Sequence, residues 1–136
     1  MKIVVNRCFG GFGLSYKAVM RYGELIGKKI YAYVNKDMNS FESNTCKQVF
    51  EDSGLFTIYL TKPNLKKFPK GEESVYFSYR DISRDDKNLI KVIEELGKEA
   101  NDCFADLEIV EIPDGTDWTI SEYDGMETVE EKHRSW

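Results

Sequence analysis

The stretch that most constrains this chain is its beginning. "KIVVN" (Lys2 to Asn6) has the unbroken apolar middle of a buried strand, and "RCFGGFGLS" follows with three glycines and two phenylalanines. Ser15 then stands as a helix N-cap. Ala18, Val19, Tyr22, Leu25 and Ile26 fall at i, i+1, i+4, i+7 and i+8, one face of a helix, which Gly27 stops. "KIYAYV" (Lys29 to Val34) is the next strand. Strand, helix and strand with short connections predict a parallel βαβ unit.

A second helix is written as clearly. Asp86 is its cap, and Leu89, Val92, Ile93, Leu96 and Ala100 repeat at helical spacing. Between the two helices the pattern is weaker. Phe41 to Asp52 suggests a short helix ending near Gly54, and "LFTIYL" (Leu55 to Leu60) a strand. "TKPNLKKFPKG" is a polar surface loop, and "SVYFSYR" (Ser74 to Arg80) alternates as a strand does. Beyond Asn101, "LEIVEI", "WTISEY" and "METVEE" are separated by "PDGTD" and "DG", which predicts an antiparallel meander. The expected fold is a single α/β domain over 1–136. It has a mixed sheet with an N-terminal βαβ unit, a C-terminal antiparallel meander and two main flanking helices.

The charge is mild, −5 over 136 residues, but uneven. From Phe104 to Trp136 ten acids face only Lys132 and Arg134, so the rest of the chain is net positive. A general nucleic-acid binder or a DNA mimic usually shows one sign over most of its surface, and this chain does not. No apolar run is long enough for a bilayer, and "MKIVVNRC" does not read as a secretion signal, so a cytoplasmic location is expected. Cys8, Cys46 and Cys103 have no metal-ligand spacing and predict free thiols.

Three places could carry chemistry. In the glycine-rich turn, backbone N–H groups and a helix N-terminus form a seat for phosphate. There Arg7 is an anion partner and Phe9 or Phe12 a stacking platform. The turn matches neither G-x-G-x-x-G nor a P-loop, and a purely structural turn sealed by two phenylalanines explains the same residues. In "YRDISRDD", Arg80 and Arg84 are phosphate clamps or, more commonly, partners of the adjacent Asp81, Asp85 and Asp86. At the chain end, His133, Arg134 and Trp136 stand together; the tryptophan calls for a docking place on this chain or a partner subunit. Catalysis has little support, because the single histidine lies at the chain end and no nucleophile–base pair is visible. Asp114, Asp117, Glu122 and Asp124 read as a solvated rim.

Taken in order, "KIVVNRCFGGFGLS", "DISRDD" with "LIKVIEELGKEAN", "LEIVEIPD" and "EYDGMETVEEKHRSW" resemble a set of small phage and prophage proteins, the Thoeris anti-defence family of the first-described type. The resemblance spans most of the chain except roughly Asn35 to Gly71. In that family a proline often follows the acid capping the second main helix, whereas Asp86 is followed here by Lys87. The resemblance implies a sponge rather than an enzyme. It would sequester a cyclic ADP-ribose isomer in the infected bacterial cell and so keep an NAD-depleting effector inactive. It also implies homodimers or larger assemblies and, for some members, cyclic oligonucleotides at separate sites. No cofactor, metal, membrane or duplex nucleic acid is expected. Ligand chemistry of this kind directs attention to Asn6, Arg7, Phe9, Gly10, Gly11, Phe12, Ser15, Arg84 and Arg134. A nucleotide-cleaving hydrolase using His133, and a protein–protein inhibitor without a small ligand, are the alternatives.

Overall fold

The computed structural model describes residues 1–36, 45–52 and 57–132. The predicted helix over Phe41 to Asp52 falls partly outside that range, as do Arg134, His133 and Trp136. Among the described residues two helices and eight strands form one α/β fold, with the strands in three antiparallel sheets.

Strand β1 (Lys2–Asn6) is buried at Ile3, Val4, Val5 and Asn6 and pairs antiparallel with β6 (Leu107–Glu111), Val4 opposite Ile109. Helix α1 (Tyr16–Ile26) begins as its sequence predicts: the Ser15 hydroxyl accepts from the Ala18 N–H at 3.1 Å. It ends at Gly27, which adopts the left-handed φ of 69° and so lets the Lys28 N–H reach the Gly23 carbonyl at 2.9 Å. Helix α2 (Lys87–Leu96) is capped by Asp86, whose Oδ1 accepts from Asn88 and Leu89 at 2.8 and 3.0 Å. A 3₁₀ turn at Gly97–Ala100 continues it. The apolar faces of both helices meet β1 in the main core, where Ala18, Val19, Leu89 and Val92 are fully buried. Along the outer seam of the helices, Arg21 pairs with Glu95 at 2.8 Å and Glu24 at 3.0 Å.

The second sheet runs β3 (Cys46–Val49), β2 (Tyr31–Asn35), β4 (Ile58–Leu60), β5 (Tyr76–Phe77). Its own small core gathers Tyr33, Cys46, Leu60 and Val75. Residues 46–49 are strand rather than helix, because Tyr33 and Val34 lie opposite Gln48 and Lys47 in the β2 register. The expected strand over Ser74 to Arg80 shrinks to Tyr76–Phe77, flanked by 3₁₀ turns at Glu73–Val75 and Tyr79–Asp81.

Two expectations of pairing are corrected. Strands β1 and β2 flank α1 as predicted but lie in different sheets, so no parallel βαβ pair forms. The edge of β1 away from β6 is already occupied. There the Val4 N–H donates to the Arg84 carbonyl at 2.8 Å and the Asn6 N–H to Glu127 at 2.8 Å. The C-terminal meander is likewise only half present. Strands β7 (Trp118–Tyr123) and β8 (Met126–Glu131) form a hairpin, while β6 has gone to β1. The hairpin turn has positive φ at Asp124 (54°) and Gly125 (92°), the conformation a two-residue type I′ turn requires.

Candidate functional site: the cavity beneath the hairpin turn

The β7–β8 turn does not hang in solvent; it docks on the glycine-rich turn that follows β1. An added Cβ at Gly125 would lie 2.5 Å from both the Gly11 nitrogen and the Phe9 carbonyl oxygen. Gly125 is therefore glycine twice over, for its positive φ and for this close approach. Across the same turn, a Cβ at Gly10 would meet the Phe104 carbonyl oxygen at 2.1 Å. Gly11 itself has φ of 94°. Backbone fit accounts for Gly10 and Gly11, while a Cβ at Gly13 would run into the Asp102 carboxylate.

One ion pair ties these parts together. The Arg84 guanidinium meets Glu127 in a two-point pairing, Nη1 to Oε1 at 2.5 Å and Nη2 to Oε2 at 2.8 Å. Its Nη1 also donates to the Val4 carbonyl at 3.3 Å, and its plane lies 3.7 Å from the centre of the Phe12 ring. The Glu127 side chain is only 5% exposed, so two-point pairing and the Asn6 N–H together compensate its loss of water. Arg84 thus pairs across the fold and not with Asp81, Asp85 or Asp86 beside it. Asp86 is engaged as the α2 cap and accepts from the Tyr22 hydroxyl at 3.2 Å. Burial first, and that carboxylate second, push the Tyr22 phenol up to about 12.

Between the two turns lies a cavity of about 500 Å³. Phe9, Gly10, Gly11 and Phe12 form one wall, Arg80 and Arg84 another, and Glu122, Asp124, Gly125 and Glu127 the hairpin side. Phe12 is buried and packs against Tyr79 with the ring centres 6.0 Å apart and the planes tilted by 55°, whereas Phe9 is 63% exposed. The two phenylalanines therefore divide the alternatives between them: Phe12 seals the core, and Phe9 presents an open ring. Burial holds the Tyr79 phenol above its ordinary value, so it is a neutral neighbour at physiological pH.

Of the residues singled out in the sequence, Phe9, Gly10, Gly11, Phe12 and Arg84 line this cavity. Three others do not. Asn6 is fully buried and its amide is committed: Nδ2 donates to the Cys8 and Gly125 carbonyls, each at 2.7 Å, and Oδ1 accepts from the Asp106 N–H at 2.8 Å. Arg7 turns toward β6 and β8, with Nε 3.3 Å from Glu108 and Nη1 donating to the Glu127 carbonyl at 3.1 Å. Ser15 caps α1 and donates to the Glu99 carbonyl at 2.6 Å. Arg134 lies outside the described residues. Sequence reasoning missed Glu127 as the partner of Arg84 and read Glu122 and Asp124 only as a solvated rim. The only signal available was the Asp124-Gly125 dipeptide, which marks a turn but not where it docks.

Among the described residues no group of three or more His, Cys, Asp or Glu side chains is placed to hold a metal ion. No described helix is long and apolar enough to cross a membrane. Compared with known proteins, the chain matches no family model, no curated protein and no solved structure.

Proposed function

We propose that this protein binds a cyclic ADP-ribose-type signalling nucleotide in the cavity beneath the hairpin turn and holds it without cleaving it. By the resemblance stated above, such a sponge would keep a host NAD-depleting effector from its activator. The observation that carries the reading is convergence. Phe9 to Phe12 and Arg84, chosen for nucleotide chemistry and separated by some seventy residues of sequence, line one cavity. Its volume lies in the range of small-molecule sites. Exposed Phe9 offers a face for adenine, and Arg80 offers a charge-assisted donor to a phosphate. Glu122 and Asp124 offer acceptors to ribose hydroxyls. Arg84, held by Glu127, contributes field and shape more than a mobile clamp.

The test is a release experiment. Protein incubated with the cyclic nucleotide should deplete it from solution and return it intact on heat denaturation. Recovery of a cleaved product would replace the sponge with a hydrolase, and no depletion would remove the nucleotide reading. Arg80→Ala should weaken binding about 10- to 150-fold, the loss of one charge-assisted hydrogen bond, without changing the melting temperature. A homodimer forms part of the proposal; a monomeric mass by light scattering at micromolar concentration would overturn it.

A further inference from the structure

The loop "TKPNLKKFPKG" lies apart from the cavity just described, and the backbone of its first half is held in place. Tyr33, fully buried, donates its hydroxyl to the Lys62 carbonyl at 2.6 Å and accepts from the Leu65 N–H at 3.1 Å. Gln48 on β3 accepts from the Asn64 N–H at 3.0 Å, and the Cys46 N–H donates to the Lys66 carbonyl at 2.9 Å. Asn64 itself adopts a left-handed φ of 58°, which turns the loop back onto β3. Four hydrogen bonds to the loop backbone, two of them made by the buried Tyr33 phenol, thus fix the path of residues 62–66 against the edge strand.

This path creates a second concavity, about 510 Å³, lined by Lys36, Lys47, Lys66, Gln48, Asn64 and Phe50 among others. It shares no lining residue with the first. Among the described residues its lining holds three lysines and no carboxylate. Lys62, at the start of the loop, pairs with Glu72 at 3.4 Å. No ion pair among the described residues engages Lys36, Lys47 or Lys66. Phe50 is 75% exposed at the same place. In a chain of net charge −5 such a concentration is local. Glu51 and Asp52 follow Phe50 in sequence but do not line the groove, and screening over about 10 Å at 0.1 M salt keeps more distant acids from cancelling it. Unpaired lysines beside an open aromatic ring are the two components of single-strand recognition, phosphates on the cations and a base on the ring.

We propose that this lysine-lined groove is a second binding site and that it takes a short single-stranded nucleic-acid segment. The backbone phosphates lie on Lys36, Lys47 and Lys66, and one base stacks on Phe50. Duplex is not its ligand, since the groove is short and the remaining surface carries both signs.

Fluorescence anisotropy with a labelled oligothymidylate of about six nucleotides tests this, a length within the site sizes such grooves use. Three phosphate contacts predict a slope of about −2 for log affinity against log salt, hence roughly 20-fold weaker binding on going from about 50 to about 200 mM. The double variant Lys47→Glu/Lys66→Glu should abolish measurable binding at the higher salt with an unchanged melting temperature. Phe50→Ala should weaken it several-fold. Tyr33→Phe, which keeps every lysine but releases the loop, should also weaken it. Arg80→Ala, at the first cavity, should leave it unchanged. Absence of binding at low salt, or full binding by the double lysine variant, overturns the site. Equal competition by inorganic polyphosphate with no effect of Phe50→Ala overturns the nucleic-acid assignment. Loss of binding in Arg80→Ala overturns the separation of the two sites, which do not depend on each other.

Discussion

The concavity beneath the hairpin turn and the one along β3 handle positive charge in opposite ways. Beneath the hairpin turn, Arg84 is largely out of water, and the fold supplies a two-point carboxylate, a backbone carbonyl and an aromatic face to keep it there. Along β3, Lys36, Lys47 and Lys66 remain hydrated on flexible stems, and the fold orders only the backbone beneath them. The difference follows from desolvation. A buried cation without a partner costs several kcal/mol, whereas an exposed one costs almost nothing. One pair therefore belongs to the architecture, while the lysines are free to meet something else.

The largest effect that would break this contrast is loss of Glu127. Glu127→Ala leaves Arg84 partly buried and unpaired and takes the acceptor from the Asn6 N–H. A destabilisation of about 3–5 kcal/mol is expected, measurable by urea unfolding; less than 1 kcal/mol would mean that the hairpin is held by other contacts. Gly125→Ala comes next. Its Cβ collides with the Gly11 nitrogen and the Phe9 oxygen in a left-handed residue, so about 1–3 kcal/mol should be lost. The loss should be accompanied by weaker nucleotide binding, as the cavity wall shifts.

A smaller effect distinguishes the buried core from both concavities. Tyrosine in the unfolded chain ionises near pH 10, while Tyr22 in the fold is pushed up to about 12. Above pH 10 the unfolded chain releases its proton first. Stability that is fully present below pH 10 is therefore lost as the pH rises through about 12. Thermal melts across that interval, followed with phenolate absorbance, should show a falling melting temperature that Tyr22→Phe attenuates. Smallest of all, Lys47→Glu should change stability by no more than about 0.5 kcal/mol. A larger loss in urea would show that Lys47 has a structural partner.

Local structure was legible where one short-range rule decides it. Ser15, Gly27 and Asp86 sit at helix ends because their own side chains or φ values satisfy the adjacent backbone, and the spacing of Leu89, Val92 and Ile93 alone fixes which face of α2 is buried. The strand β3 at residues 46–49 was misread because its sequence, "CKQV", has little strand character of its own. Pairing with β2 imposes it. Of the candidate site, the glycine turn and Arg84 were visible as residue types. Arg7 and Asn6 were equally plausible in sequence, yet β1 turns them toward β6, β8 and the interior of the turn. Side-chain direction at a strand end depends on what lies on each edge, and that is a tertiary fact.

By itself, then, the sequence determined the two helices with their caps, the buried N-terminal strand, the turn at Asp124-Gly125 and the mixed α/β character. Each of these rests on interactions within a few residues. Only the tertiary structure decided that β1 pairs with β6 and not β2, that the hairpin turn docks on Gly11, and that Arg84 finds Glu127 rather than its own aspartates. Those choices depend on which groups compete for the same strand edge and on which charges must leave water together, and neither competition is written in local spacing.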